Sequence, residues 1–267
     1  MATHEAGSVT VPAAELPLWR ARRLSDVIRY DAPMKRVLVS WSSGKDSAWT
    51  LHLLRQRADC EIIGLLTTVN SEFDRVAMHG TRRSILEAQA EAAGLPLWIV
   101  PLPWPCSNEI YETRMREVCQ RAVTAGITGV AFGDLFLRDI RSYREAQLKP
   151  IGLDPLFPLW ERPTLALARE MIASGLRAKL TCVDLKQLSA KFAGREFDFG
   201  LLRDLPPETD PCGERGEFHT CVYQLNLHVG RFDLNPLRGE RAIHRRIQPD
   251  LAAPNPRRIV LPCRRRC

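Results

Sequence analysis

The sequence predicts an α/β fold: a parallel, Rossmann-like sheet followed by a smaller C-terminal α+β domain. Three observations carry this. From about residue 35, short apolar runs alternate four times with amphipathic stretches, the pattern of parallel strands joined by crossover helices. A turn of small and polar residues, Ser42-Ser43-Gly44-Lys45-Asp46-Ser47, joins the first strand to the first helix. After about residue 155 the alternation gives way to a different rhythm, with a Gly-, Pro- and acid-rich stretch.

Taken in order, residues 37–41 read as a buried strand and 47–57 as a helix with Ala48, Leu51 and Leu54 on one face. Residues 61–69 form a second strand, and 81–93 a helix that Gly94 stops as a left-handed cap. A third strand covers 97–102, with a proline-rich exit, and a helix over 107–125 is expected to bury Ile110, Met115, Val118 and Ala122. The fourth strand, 129–132, ends at Gly133-Asp134, and a helix carrying Arg141, Arg144 and Glu145 follows. Pro163 suits the first turn of another helix, which runs to Ser174-Gly175 and leads into a strand at 178–183. Two domains are therefore expected, at 34–155 and 156–232. Residues 1–33 read as a flexible leader, and 233–267 as a disordered arginine-rich tail.

The chain has 267 residues and a formal charge of +7, but the charge is local. Residues 231–267 hold ten Arg against Asp233, Glu240 and Asp250, which leaves the other 230 residues with 28 basic and 28 acidic side chains. The body is balanced, which argues against a nucleic-acid surface. No apolar stretch approaches the length of a membrane span and no secretory signal opens the chain, so a cytoplasmic setting is expected. The eight cysteines include no C-x-x-C pair, and most read as small buried apolar residues.

The turn at 42–47 carries the strongest chemical signal. Small residues let backbone N–H groups turn inward at a helix N-terminus, whose partial positive charge favours an anion. Ser42, Ser43 and Ser47 supply hydroxyls and Lys45 a cation, a cradle for polyphosphate. Asp46 stands where a Walker A loop has Ser or Thr, so the loop is not of that kind. Instead SSGKDS resembles the SGGxDS loop of the ATP pyrophosphatases, with Ser43 in place of the first Gly. That family cleaves ATP between the α- and β-phosphates.

Three further segments sharpen the resemblance: GDLFLRDIRSYREAQL at 133–148, PLW at 158–160 followed by Arg162, and DPCGERGEFHT at 210–220. In this order they resemble the diphthamide synthase (diphthine–ammonia ligase) family, in its bacterial-type form, since Arg215 and Phe218-His219 replace the family's Gly and Tyr-Glu. The resemblance implies an adenine nucleotide alpha-hydrolase or PP-loop fold and ATP-dependent amidation. A carboxylate attacks the α-phosphate, pyrophosphate leaves, and ammonia displaces AMP. It implies ATP and Mg²⁺ as cofactors and free or partner-supplied ammonia, with the carboxylate substrate and oligomeric state left open. In these terms the loop 42–47, His79 and Gly133 bind ATP, and Lys45, Asp134, Glu214 and Glu217 are catalytic. Asp134 binds Mg²⁺ or orients substrate, or simply caps the next segment. Arg144, Glu145 and Cys212 contact substrate, and Glu214 and Glu217 capture ammonium and remove its proton. Two alternatives stand beside this: a PP-loop sulfurtransferase or tRNA-modifying enzyme using Cys212 and Cys182, and a nucleotide-binding protein without turnover.

Overall fold

Three consecutive side chains, Val37, Leu38 and Val39, have 0% exposure, because they occupy the central strand of a sheet covered on both faces. In this computed structural model, which describes residues 34–77, 79–227, 230–233 and 258–260, that strand is β1 (Lys35–Ser40). It runs parallel to β2 (Cys60–Asn70) on one side and to β5 (Gly129–Ala131) on the other. A two-residue antiparallel strand, β3 (Arg75–Val76), and the parallel β4 (Leu97–Leu102) both pair with β2, and β6 (Asp154–Leu156) pairs parallel with β5. The parallel order β4-β2-β1-β5-β6 is the Rossmann-like sheet that the alternation predicts.

Side chains alternate across a strand, so Val37 and Val39 face one core and Leu38 the other. The first core takes apolar residues from α1 (Lys45–Leu54), α2 (Arg83–Ala93) and α5 (Thr164–Ala173). The second takes Val118, Cys119 and Ala122 of α3 (Asn108–Thr124) and Leu148 of α4 (Arg138–Leu148). Gly94 is left-handed at φ 63° and ends α2 as expected. Ser107 caps α3 by accepting from the Ile110 amide at 3.3 Å. One expected core residue differs: Ile110 is 39% exposed. Tyr111, Met115, Val118 and Ala122 follow the 4-3-4 spacing of one helical face, and Ile110 falls one position off it.

The smaller part is an antiparallel sheet, β7 (Arg177–Asp184), β8 (Phe218–Leu227) and β9 (Gly230–Asp233), with the short helix α6 (Phe199–Asp204). A fourth strand, β10 (Arg258–Val260), pairs with β7. These three residues depart from the expectation of a disordered tail. Apart from Asp233 at the end of β9, the remainder of the tail lies outside the described residues, as does the leader. Ala178, Leu180 and Val222 of this second sheet share the first core with Trp49, Leu51 and Leu54 of α1. The described residues from Lys35 on form one compact unit.

Candidate active site

The phosphate loop leaves β1 at its carboxyl end, where parallel sheets place their ligands, and enters α1 through Gly44 as N-cap. Its small residues knit a tight local turn. Ser47 Oγ donates to the Gly44 carbonyl at 2.9 Å and lies 3.3 Å from Ser42 Oγ, and the Gly44 amide reaches Ser42 Oγ at 3.4 Å. Ser43, standing where the resembling loop has Gly, adopts φ 68°, the left-handed region that costs a side chain about 1–2 kcal/mol. Its Oγ is buried without a hydrogen-bond partner among the described residues. An unpartnered hydroxyl donor in such a loop fits an oxygen of a polyphosphate.

The loop is clasped by residues far away in sequence. Val222 of β8 donates its amide to the Ser43 carbonyl at 2.9 Å, and the Lys45 amide donates to Thr220 Oγ1 at 3.0 Å. Gln89 of α2, fully buried, accepts from Trp41 Nε1 at 2.9 Å. Through Nε2 it donates to the Val222 carbonyl at 2.7 Å and the Ser43 carbonyl at 3.3 Å. The sequence reading missed both Gln89 and Thr220. One signal existed for Gln89: it is the only polar residue on a helix face otherwise made of Ile85, Leu86, Ala90 and Ala93.

Lys45 points inward and is only 2% exposed. Its ammonium donates to Asp46 Oδ2 at 2.8 Å and to the Cys212 carbonyl, and lies 5.6 and 5.5 Å from the ring centroids of Phe197 and Phe218. Burial pushes its pKa down, but Asp46, Cys212 and Glu214 together hold it above the ordinary lysine value. The cation expected to face phosphate thus also ties the phosphate loop to the Cys212–Glu217 loop.

Gly133 lets the exit of β5 approach α1, since a Cβ there would sit 2.8 Å from the Asp46 backbone. Asp134 follows and is held in a bidentate pair by Arg144, whose second nitrogen donates at 3.1 Å. Next, the Leu135 amide donates to Glu214 Oε1 at 2.8 Å. Burial, opposed mainly by that amide, raises the Glu214 carboxyl to a pKa of about 7. Glu217 is engaged differently: its Oε1 accepts from the Asp210 amide at 3.0 Å, while Asp210 Oδ2 accepts from the Glu214 amide at 2.9 Å. The two carboxylates hold separate amide partners on one loop, and Asp210 links them. Left-handed Gly213, at φ 70°, makes the loop possible, because a Cβ there would meet the Phe218 carbonyl oxygen at 2.8 Å.

Of the remaining predicted residues, Cys212 Sγ donates to the Thr164 carbonyl at 3.4 Å, and burial pushes its thiol pKa up. Glu145 accepts from Arg141 at 2.8 Å and Lys149 at 3.0 Å on its own helix. The His79 ring packs 4.4 Å from that of His219, next to Thr220. Thus Lys45, Asp46, Asp134, Cys212 and Glu214 form one electrostatic neighbourhood, which Glu145 and His79 adjoin rather than enter. Among the described residues no group of three or more His, Cys, Asp or Glu could hold a metal ion. Asp134, the expected Mg²⁺ ligand, already accepts from Arg144 at both oxygens. No step below passes through a metal ion.

Residues 34–155 match the family model of the diphthamide synthase N-terminal domain. A diphthine–ammonia ligase of Schizosaccharomyces pombe is 26% identical over 217 residues, which are 74% of this chain and 36% of that protein. The chain therefore spans little more than a third of that relative's length. The U34-tRNA thiolase NcsA of Methanococcus maripaludis is 19% identical, with 57% of this chain and 62% of that one covered at a TM-score of 0.35, too low to speak for a common architecture. No helix among the described residues is long and apolar enough to cross a membrane.

Proposed function

Residues 34–155 match the N-terminal domain of the diphthamide synthase family, and from that match we propose that the chain is a member of the family and an ATP-dependent carbon–nitrogen ligase. A substrate carboxylate attacks the α-phosphorus of ATP; the bond to the β-phosphate breaks, and pyrophosphate leaves with that electron pair. Ammonia then attacks the acyl-adenylate carbonyl, AMP departs, and an amide remains. A cytoplasmic setting accords with this chemistry.

The observation that carries the reading is Glu214. Ammonium must lose a proton before it can act as a nucleophile, and the best base for that has a pKa near the working pH. Glu214 has a carboxyl raised to about 7 and is fixed by the Leu135 amide beside Asp134. Lys45, once its bond to the Cys212 carbonyl opens, is the cation for the departing pyrophosphate. The Asp134–Arg144 pair orients an anionic reactant, and Glu217 holds the base-bearing loop in shape through Asp210. The thiol chemistry of a sulfurtransferase finds less support, since burial keeps Cys212 protonated.

Product analysis tests the proposal. Purified protein with ATP, ammonium and a pool of carboxylic-acid metabolites should form AMP and pyrophosphate, with sustained turnover only when ammonium is present. Formation of ADP and phosphate would overturn the adenylation step.

A further inference from the structure

The segment at 158–160 and the outward face of α4 are not used by the chemistry above, yet they enclose a depression of about 290 Å³. It is lined by Arg138, Arg141, Ser142, Glu145, Trp160 and Glu161. We propose that it is a subsite for a second carboxylate of the substrate, remote from the carboxylate being amidated. This rests on the ligase reading and narrows its substrate to dicarboxylic compounds.

The argument starts with Arg141. Its guanidinium packs against two rings that meet edge to face, 4.9 Å from the centroid of Phe157 and 4.7 Å from that of Trp160, which restricts its orientation. Its Nε donates to Glu145 at 2.8 Å, and its two terminal nitrogens donate to no other described residue. Both acids of the depression are already engaged. Glu145 takes Arg141 and Lys149, and Glu161 takes Arg138 at 3.3 Å. The two terminal nitrogens of Arg141 are therefore open donors, in the planar fork that matches a carboxylate edge.

The subsite is also fixed relative to the reacting groups. Glu161 lies in the left-handed region at φ 56° and donates its amide to the Leu135 carbonyl at 2.7 Å. Leu135 in turn donates to Glu214. On the other side, Phe157 stacks on Phe132 at 5.7 Å, and Arg144, which holds Asp134, lies over the Phe132 ring at 4.2 Å. A continuous packed path joins the depression to both Glu214 and Asp134. Glu145 thus becomes a positioning residue for Arg141 instead of a substrate contact.

Glutarate is the probe, followed by ligand-observed NMR titration on the full chain. Loss of a charge-assisted fork corresponds to about tenfold weaker binding or more. Arg141→Ala should weaken glutarate at least that far, and Arg141→Lys, which keeps the charge without the fork, by about fivefold. Arg114→Ala, removing one charge on α3, should stay within about twofold, as bulk charge alone contributes little. Thermal melts check each fold, and Arg141→Lys decides if Arg141→Ala is destabilised. No glutarate binding to the wild type, or equal binding by the Arg141 variants, overturns the subsite. AMP formation is read on the same preparations. Arg141-dependent glutarate binding with no AMP from any carboxylate would remove the ligase reading and leave the anion site. AMP formation with Arg141-independent glutarate binding would remove the subsite alone.

Discussion

Replacing Ser43 with glycine should stabilise the protein while weakening its hold on ATP. Ser43 adopts φ 68°, a conformation that costs a non-glycine residue about 1–2 kcal/mol. Glycine removes that strain but loses about 0.5–1 kcal/mol through the greater freedom of its unfolded chain. The substitution also deletes a buried hydroxyl without a partner among the described residues, whose desolvation costs about 1–3 kcal/mol, part of it offset by lost contacts. The net gain is about 1–2 kcal/mol, or roughly 2–8 °C in Tm for a unit of this size. Thermal unfolding followed by circular dichroism measures it. Ser43→Ala is the control: it removes the hydroxyl and keeps the strain, so its gain should be smaller. If that hydroxyl serves a phosphate oxygen, ATP affinity of Ser43→Gly falls by about threefold to tenfold, in the range of one hydrogen bond. A Tm at or below that of the wild type would refute the reasoning about strain.

Three other outcomes follow from the same geometry. The Glu214 carboxyl is raised to about 7 in the folded state, so the unfolded chain ionises first. The group's contribution is fully present below about pH 4.5 and is lost as pH rises to about 7. Glu214→Gln should flatten that part of the stability–pH curve, read from urea midpoints, and abolish the rise of AMP formation near pH 7. Gln89→Leu strands Trp41 Nε1, removes a donor from the Val222 carbonyl and leaves the Ser43 carbonyl with the Val222 amide alone, and should cost about 2–4 kcal/mol in denaturant titrations together with most ATP binding. Cys212→Ser should keep AMP formation, and native Cys212 should resist alkylation by iodoacetamide, because its buried thiol stays protonated; rapid labelling would revive the sulfur-transfer reading.

What was legible in the chain was what local pattern controls. The strand at residues 97–102 is found at those bounds, and Gly94 caps its helix, because strand burial and left-handed glycine are both short-range effects. The phosphate loop was legible for the same reason: backbone donors and a helix N-terminus need a fixed run of residue types. The inward turn of Lys45 was not, since it depends on the Cys212 carbonyl, 167 positions away in the chain, reaching its ammonium. Gln89 and Thr220 were invisible as loop clasps because their partners lie 46 or more positions away. Ile110 and Tyr111 show a finer limit. Adjacent apolar residues at a helix start leave the face ambiguous by one position, and packing on Met115 and Val118 settles it in favour of Tyr111.

The shared core of α1 and the antiparallel sheet bears on how the molecule comes apart. Trp49, Leu51 and Leu54 belong to the family-matched stretch, yet they are buried against the same cluster as Leu167, Leu180, Phe197 and Val222 from beyond it. Excising residues 34–155 would turn that helix face toward water and strip the phosphate loop of Thr220 and Val222. Neither half carries a complete interior, so they are expected to melt in a single cooperative step, and the loop at 42–47 is assembled only in the transition that closes both sheets.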